Sequence, residues 1–230
     1  MNSLRIIDAC TEEHFAAMSR IHARGWHAAY PGHVPDDYLR DVITEDHWIP
    51  FFREDYATGR CRGLLLYDGE NPVCCCTCGP VRLGPSPRQS EGLVIHGEAY
   101  RGWGEIISFY TDPACTGRGY GSVLMEEALR RLRADGYLNC YVFVLRENEG
   151  ARRFYARHGF AWDGTEEHIP FPHDMTCVDL RYTNQLSPHG LPRRAADGYR
   201  GASSVPVFFD QEELLCRKTR WRSYRCAGCC

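Results

Sequence analysis

The sequence predicts an α/β domain, an α+β mixed sheet with helices against it, and three observations lead there. Short apolar runs of strand length recur between residues 4 and 182. Longer runs with apolar residues three and four apart lie between them, and glycine- or proline-bearing turns separate the two kinds. At 230 residues the chain has room for one ordinary domain plus an extension. Hydrophobic residues make up 43% and charged residues 25%, which excludes a wholly disordered, collagen-like or rod-like chain. No stretch approaches the roughly 18 uninterrupted apolar residues of a membrane-spanning helix. Residues 1–15 lack the apolar core of a secretion signal, so the expected location is cytoplasmic.

The first strand is expected at residues 4–8. Thr11 then offers a helix cap, with Glu12 and Glu13 in the first turn, where the helix dipole favours them. Phe15, Met18, Ile21, Ala28 and Ala29 fall near one face and carry this helix to about Ala29, where Pro31-Gly32 stops it. Pro35 opens a short second helix, since its missing N–H is no loss there. A third helix is expected over residues 45–57, with Trp48, Phe51 and Phe52. Residues 63–67 and 72–78 read as a hairpin about the turn 68–71. Residues 79–104 are loop-like, broken by a short apolar piece at 93–95. Residues 105–111 form the central strand, ended by Asp112-Pro113, and 116–121 form a glycine-spaced turn. The helix at 122–134 puts Leu124, Ala128, Leu129 and Leu132 on one face and closes at Gly136. Residues 137–145, apolar on both faces, suit an interior strand of a parallel pair. A short helix at 149–158 and strands at 160–164 and 175–182 complete the sheet.

The expected domain is 1–186, with an inserted loop at 83–103, followed by a partly disordered tail at 187–230. That tail holds eight basic and four acidic side chains, net +4, leaving −7 on the first 186 residues of a chain whose total is −3. Arg217, Lys218, Arg220, Arg222 and Arg225 surround Trp221 and Tyr224, a mix that could hold single-stranded nucleic acid. The negative total argues against nucleic acid as the main partner, and a solvated basic end is the plainer reading. Thirteen cysteines without a secretion signal are expected as reduced thiols. Cys74, Cys75, Cys76 and Cys78 crowd one strand, and Cys216, Cys226, Cys229 and Cys230 the tail. Neighbours in a strand point to opposite faces and cannot meet one metal, so packing is the favoured role and no metal site is assigned.

The run Thr116-Gly117-Arg118-Gly119-Tyr120-Gly121-Ser122 follows a strand and opens a helix. Glycines let the backbone turn tightly and approach a ligand. The unpaired N–H groups of the first helical turn and the positive end of the dipole favour an anion such as phosphate or pyrophosphate. A Walker loop is excluded because this run has no lysine. A dinucleotide fingerprint survives as a minor reading, with Glu147 loosely placed for the ribose.

Together with Glu105-Ile106, Asp112-Pro113 and the later Asn148, Ala151, Phe154-Tyr155 and Gly159-Phe160, this run resembles the GCN5-related N-acetyltransferase (GNAT) family. Trp26-His27-Ala28-Ala29-Tyr30 with Pro35 and Leu39, and Gly79-Pro80-Val81-Arg82, are similar to members of the ribosomal-protein alanine acetyltransferase type. The resemblance covers residues 4–183 and implies acetyl-CoA as co-substrate and a primary amine, small molecule or peptide, as acceptor. It implies that the cofactor arm pairs with the backbone of Phe109, Tyr110 and Thr111. It places the diphosphate on the turn Thr116 to Gly121, and Asn148 and Tyr155 toward the thioester. Thr116 stands where the family usually has Gln or Arg, a loss of reach and charge that Arg118 offsets.

Amine attack on a thioester needs a proton acceptor, N–H donors for the oxyanion, which the splayed central strand could supply, and a proton for the leaving thiolate. Tyr155 is the expected acid. Glu105 is the candidate base, with His27, His33 and His168 as other acceptors of a proton. Tyr110 is a candidate to line the acceptor pocket, and Trp26, Tyr30, Tyr38 and Trp48 read as its aromatic wall or as core, core being favoured for Trp48. Two alternatives stand beside this one: a non-catalytic CoA-binding or interaction protein, and a dinucleotide-dependent oxidoreductase. The identity of the amine and the oligomeric state are not legible in the sequence.

Overall fold

In the computed structural model, residues 3–82 and 100–186 are described. Most of the expected insertion at 83–103, and the whole tail with its cysteines and basic residues, lie outside them. Strand β1 (Leu4–Asp8) leads into α1 (Glu12–Ala29), whose Thr11 side chain accepts a hydrogen bond from the His14 N–H at 3.3 Å. Helices α2 (Asp36–Asp41) and α3 (Ile49–Ala57) follow, then the hairpin β2 (Arg62–Asp68) and β3 (Asn71–Pro80). Strand β4 (Gly104–Thr111) passes through a short turn, Pro113–Cys115, into α4 (Tyr120–Ala134). Strand β5 (Asn139–Leu145), helix α5 (Glu149–Arg157) and the hairpin β6 (Ala161–Pro170) and β7 (Thr176–Gln185) complete the described chain.

Several boundaries differ from expectation: β5 starts at Asn139, not 137, β7 runs to Gln185, not 182, and three others have a local physical cause. Helix α3 starts at Ile49, not at 45, because Pro50 has no N–H to give an earlier turn and sits in the first turn itself. Helix α4 starts two residues early, with Gly119 as its cap at φ 86°. Strand β6 runs on to Pro170, well past the expected 164. Its outward side chains are exposed and charged, and a register shift lies between Trp162 and Glu166, so it carries no clean strand pattern.

The sheet runs β1-β2-β3-β4-β5-β7-β6. Only β4 and β5 are parallel; the other pairs are antiparallel. A dinucleotide fold needs a largely parallel sheet, so the oxidoreductase alternative loses its architecture. Helices α1 and α3 cover one face, where Phe15, Met18, Ile21, Phe52 and Tyr56 pack on Ile7, Leu65 and Cys75. Helix α4 covers the other, where Leu124, Met125, Ala128 and Leu132 pack on Leu64, Leu66, Cys74, Cys76 and Ile106. Strand alternation thus sends Cys75 one way and Cys74 and Cys76 the other, and all are core side chains. Burial pushes the Cys74 thiol up to about 12. Arg131 fastens α4 to the sheet edge, donating to Glu127 at 2.6 Å and to Asp8 at 3.0 Å.

The β4–β5 ladder covers only Gly104↔Cys140, Glu105↔Tyr141 and Ile106↔Val142. Beyond it the strands part. The break coincides with a bulge in β4: Ser108 faces Thr77 and Ile106 faces Cys78, so Ile107 has no partner on β3. A bulge sharpens local twist and bends the strand. Residues 107–111 therefore keep β3 on one side and no described strand on the other.

Candidate active site

Three pieces of backbone meet along this open edge. The first is the corner after β4. Gly117 and Gly119 have φ of 77° and 86°, values that L side chains rarely take. Residues 116–119 are exposed, and a Cβ built on Gly117 or Gly119 would meet no atom within 4 Å. The N–H groups of 116–119 have no partner among the described residues, so the corner is open and able to take an anion. The side chains there are spoken for. Thr116 donates to the Pro113 carbonyl at 3.1 Å, Tyr120 donates to Asp68 at 2.5 Å, and Ser122 meets His158 at 3.2 Å. Arg118 lies beside the Tyr120 hydroxyl, so the corner offers backbone more than side chain. Gly121 packs against Phe154 and Thr111, so α4 starts hard against the end of β4.

The second piece is the strand edge itself. Phe109 turns to the α4 face against Phe154, ring centres 5.4 Å apart, and Thr111 meets Cys74 Sγ at 3.2 Å. Tyr110 turns to the α1 face. Its ring lies so close to α1 that a Cβ at Gly25 would overlap it, so only glycine fits there. It also sits 4.2 Å from the His22 ring.

The third piece is the start of α5. Asn148 caps it, its side-chain oxygen accepting from the Ala151 N–H at 3.0 Å. A cleft of about 510 Å³ lies between Ala28 and Ala29 of α1 and residues 147–150. Tyr155, one turn and more along α5, is buried between Phe154 and Phe160. Its hydroxyl has no hydrogen-bond partner among the described residues. Burial, with Tyr110, Cys76, Cys74 and Asp179 as electrostatic neighbours, pushes its pKa well up. Tyr110 turns to the α1 face and Cys74 and Cys76 to the α4 face, so groups on both sides of the sheet act on this phenol.

Glu105 is not placed as the expected base. It is 1% exposed, and Arg82 donates to both of its carboxylate oxygens, at 3.1 Å from Nε and 2.5 Å from an amino group. A carboxylate held twice by a guanidinium has no free face for an amine proton. Of the histidines, His27 meets the Ile43 carbonyl at 2.9 Å and His168 lies on the exposed strand β6. Trp48, half-buried against the core, stacks flat on His22 at 3.8 Å, and Trp26 and Tyr30, also half-buried, stack on each other at 4.2 Å beside Tyr110. Tyr38 packs edge-on against Phe171, against the same apolar cluster as that pair.

One buried carboxyl has no motif to announce it. Asp179 sits on β7 opposite Leu145, and its Oδ1 is buried without a partner. Burial, Glu147 and Glu167 push its carboxyl up to about 7. A charged residue at an inward position of a strand was the available signal, within a segment already expected as a strand.

Residues 15–160 match the acetyltransferase (GNAT) family. A stretch of 55 residues is 38% identical to YwnH of Bacillus subtilis (strain 168), whose name provisionally assigns it phosphinothricin acetylation. It covers 24% of this chain and 34% of that protein, so the match spans about a third of the curated relative. Among solved structures, PaiA N-acetyltransferase of Thermoplasma acidophilum in complex with coenzyme A is 16% identical, with a TM-score of 0.57 over 80% of this chain and 99% of that one. YncA of Salmonella typhimurium with its cofactor acetyl-CoA is 17% identical, with a TM-score of 0.58 over 84% and 99%. Ribosomal-protein-alanine N-acetyltransferase of Brucella melitensis is 16% identical, with a TM-score of 0.58 over 78% and 98%. At these identities the structural likeness is one of fold. No helix among the described residues is long and apolar enough to cross a membrane. The family match takes in the parted strands, the glycine corner and Tyr155 together, and this chain belongs to the acetyltransferase (GNAT) family.

Proposed function

We propose that the chain moves the acetyl group of acetyl-CoA to a primary amine by direct attack in a ternary complex. One observation carries the reading: β4 offers an unpaired edge that runs from the bulge at Ile107 to the glycine corner at 117–121. The corner amides of residues 117–121 suit a diphosphate. The edge of Phe109, Tyr110 and Thr111 suits an amide-bearing arm that pairs with it as a strand would. Donors on that edge near Ile107 suit the oxygen of a thioester, where negative charge grows during attack. Asn148 keeps its cap bond and still has its amide donors for the cleft. Tyr155 is a phenol, protonated at working pH, and can give its proton to the departing thiolate as negative charge grows on the sulfur. Glu105 holds Arg82 at the head of the strand and positions it.

Calorimetry with acetyl-CoA and a thiol-release assay over amine acceptors test this. Tyr155→Phe is expected to lower kcat by about 10²–10⁴-fold with little change in acetyl-CoA affinity. Unchanged turnover removes the acid role. Binding without acetylation of any amine favours the non-catalytic alternative, and no binding rejects the reading.

A further inference from the structure

Asp179 faces the α1 side of the sheet between Leu145 of β5 and Glu167 of β6. Glu167 stands directly across the antiparallel pair, where like charges destabilise each other. Glu147, on the turn into α5, adds a third carboxylate. The nearest basic side chain along the strand, Arg181, is turned to Asp163 and Thr165, at 2.7 Å from each. The other groups that face Asp179 are the phenols of Tyr30, Tyr110 and Tyr155 and the thiol of Cys177, none of them cationic. No set of three or more His, Cys, Asp or Glu among the described residues is placed to hold a metal. A buried carboxylate oxygen without a partner is expensive to keep, and Asp179 is one of the groups whose charge acts on the Tyr155 phenol.

We propose that Asp179 receives the ammonium of the acceptor and takes its proton, and that the acceptor is an amine whose far end is cationic or neutral, not anionic. This rests on the acetyltransferase reading above and names the substrate class of the same site. The Asp179 carboxylate takes one proton from R–NH3⁺, leaving a neutral amine. The nitrogen lone pair forms the C–N bond to the thioester carbon, the C–S bond breaks, and the sulfur leaves with the Tyr155 proton. The second nitrogen proton, shed as the amide forms, restores the phenol through solvent, and Asp179 gives its proton to water. Ammonium plus thioester thus become amide, thiol and one free proton. Glu147 and Glu167 repel a carboxylate or phosphinate on the acceptor and attract a second ammonium.

The test uses the full chain and three amines of one length, 1,4-diaminobutane, n-butylamine and 4-aminobutyrate, with cationic, neutral and anionic far ends. Thiol release is expected to fall in that order, with kcat/KM rising as pH passes about 7 and levelling above it. Asp179→Asn is expected to lose about 10²–10⁴-fold in kcat/KM, with acetyl-CoA affinity by calorimetry close to wild type. Glu167→Gln is expected to lower the pH midpoint and narrow the preference for the diamine, which a merely structural carboxylate would not do. Asp179→Asn within about threefold of wild type, or 4-aminobutyrate preferred to the diamine, overturns the proposal. If no probe releases thiol, a diamine-dependent rise in Tm in wild type but not in Asp179→Asn supports it, and no such difference overturns it. Wild-type protein that fails to bind acetyl-CoA overturns the acetyltransferase reading instead.

Discussion

In the native chain the Asp179 carboxyl keeps its proton up to about pH 7, whereas in an unfolded chain it loses it near 3.8. The folded state therefore binds the extra proton between those values, and stability falls as pH rises through them. Below pH 3.8 both states are protonated and the residue is neutral to stability. Above about 7 the native state carries a buried charge, at a cost of up to about 4 kcal/mol by the same interval. Asp179→Asn removes that charge. Its Tm is expected to exceed wild type by several degrees at alkaline pH, with the gap closing as pH falls toward 4; equal melting curves across that range would refute the buried charge. A side chain that weakens its own fold is a plain sign of use elsewhere. Tyr155 and Asn148 were singled out in the sequence because they stand in a spaced motif. The pairing of Glu105 was not, since Arg82 lies 23 residues away in the chain and only the β3–β4 register brings the two together.

Helix α4 shows what element-level reading catches and misses. Its apolar face of Leu124, Ala128 and Leu132 was legible from spacing, and that face is the core. Its true start was not, because Gly119 acts as a cap through a left-handed φ and not through a side chain. Nor was its anchor. Arg131 looks like one of several surface arginines of the helix, yet it is 2% exposed and held by Glu127 and Asp8. Burial pushes the Glu127 carboxyl up, but Arg130 and Arg131 outweigh this and hold it below the usual range. Its stabilising share is present above the unfolded carboxylate pKa and is lost as pH falls through the lower folded value. Arg131→Met leaves two carboxylates facing each other at the edge of the core. It is expected to cost about 3–5 kcal/mol by urea denaturation at neutral pH. Part of that loss is recovered in the triple variant with Asp8→Asn and Glu127→Gln. A single variant as stable as wild type would show that the cluster is solvated in solution.

At the scale of the molecule, the seven strands are two antiparallel blocks, β1 to β4 and β5 to β7, joined by a three-residue parallel ladder. A mixed sheet was legible from the alternation of strand and helix patterns. A splayed central strand was expected too, but its cause was not legible, because the parting follows from one extra residue at Ile107 and no residue type announces a bulge. A sheet split in this way leaves backbone groups at residues 107–111 without strand partners, a cost the fold bears only if something else fills the gap. Acetyl-CoA is the filler in the proposed function, so its binding is expected to act on the whole sheet. Hydrogen exchange of the full chain is expected to show fast amides on the open edge of 107–111 and at 117–121. Saturating acetyl-CoA should slow both sets, while amides inside β2 and β3 change only with global stability. Tm should rise with the logarithm of ligand concentration once above Kd. Protection at 117–121 alone would mean that the diphosphate is gripped but the arm does not lie along β4. Protection at neither segment, at a concentration where calorimetry reports full binding, would place acetyl-CoA somewhere other than the gap.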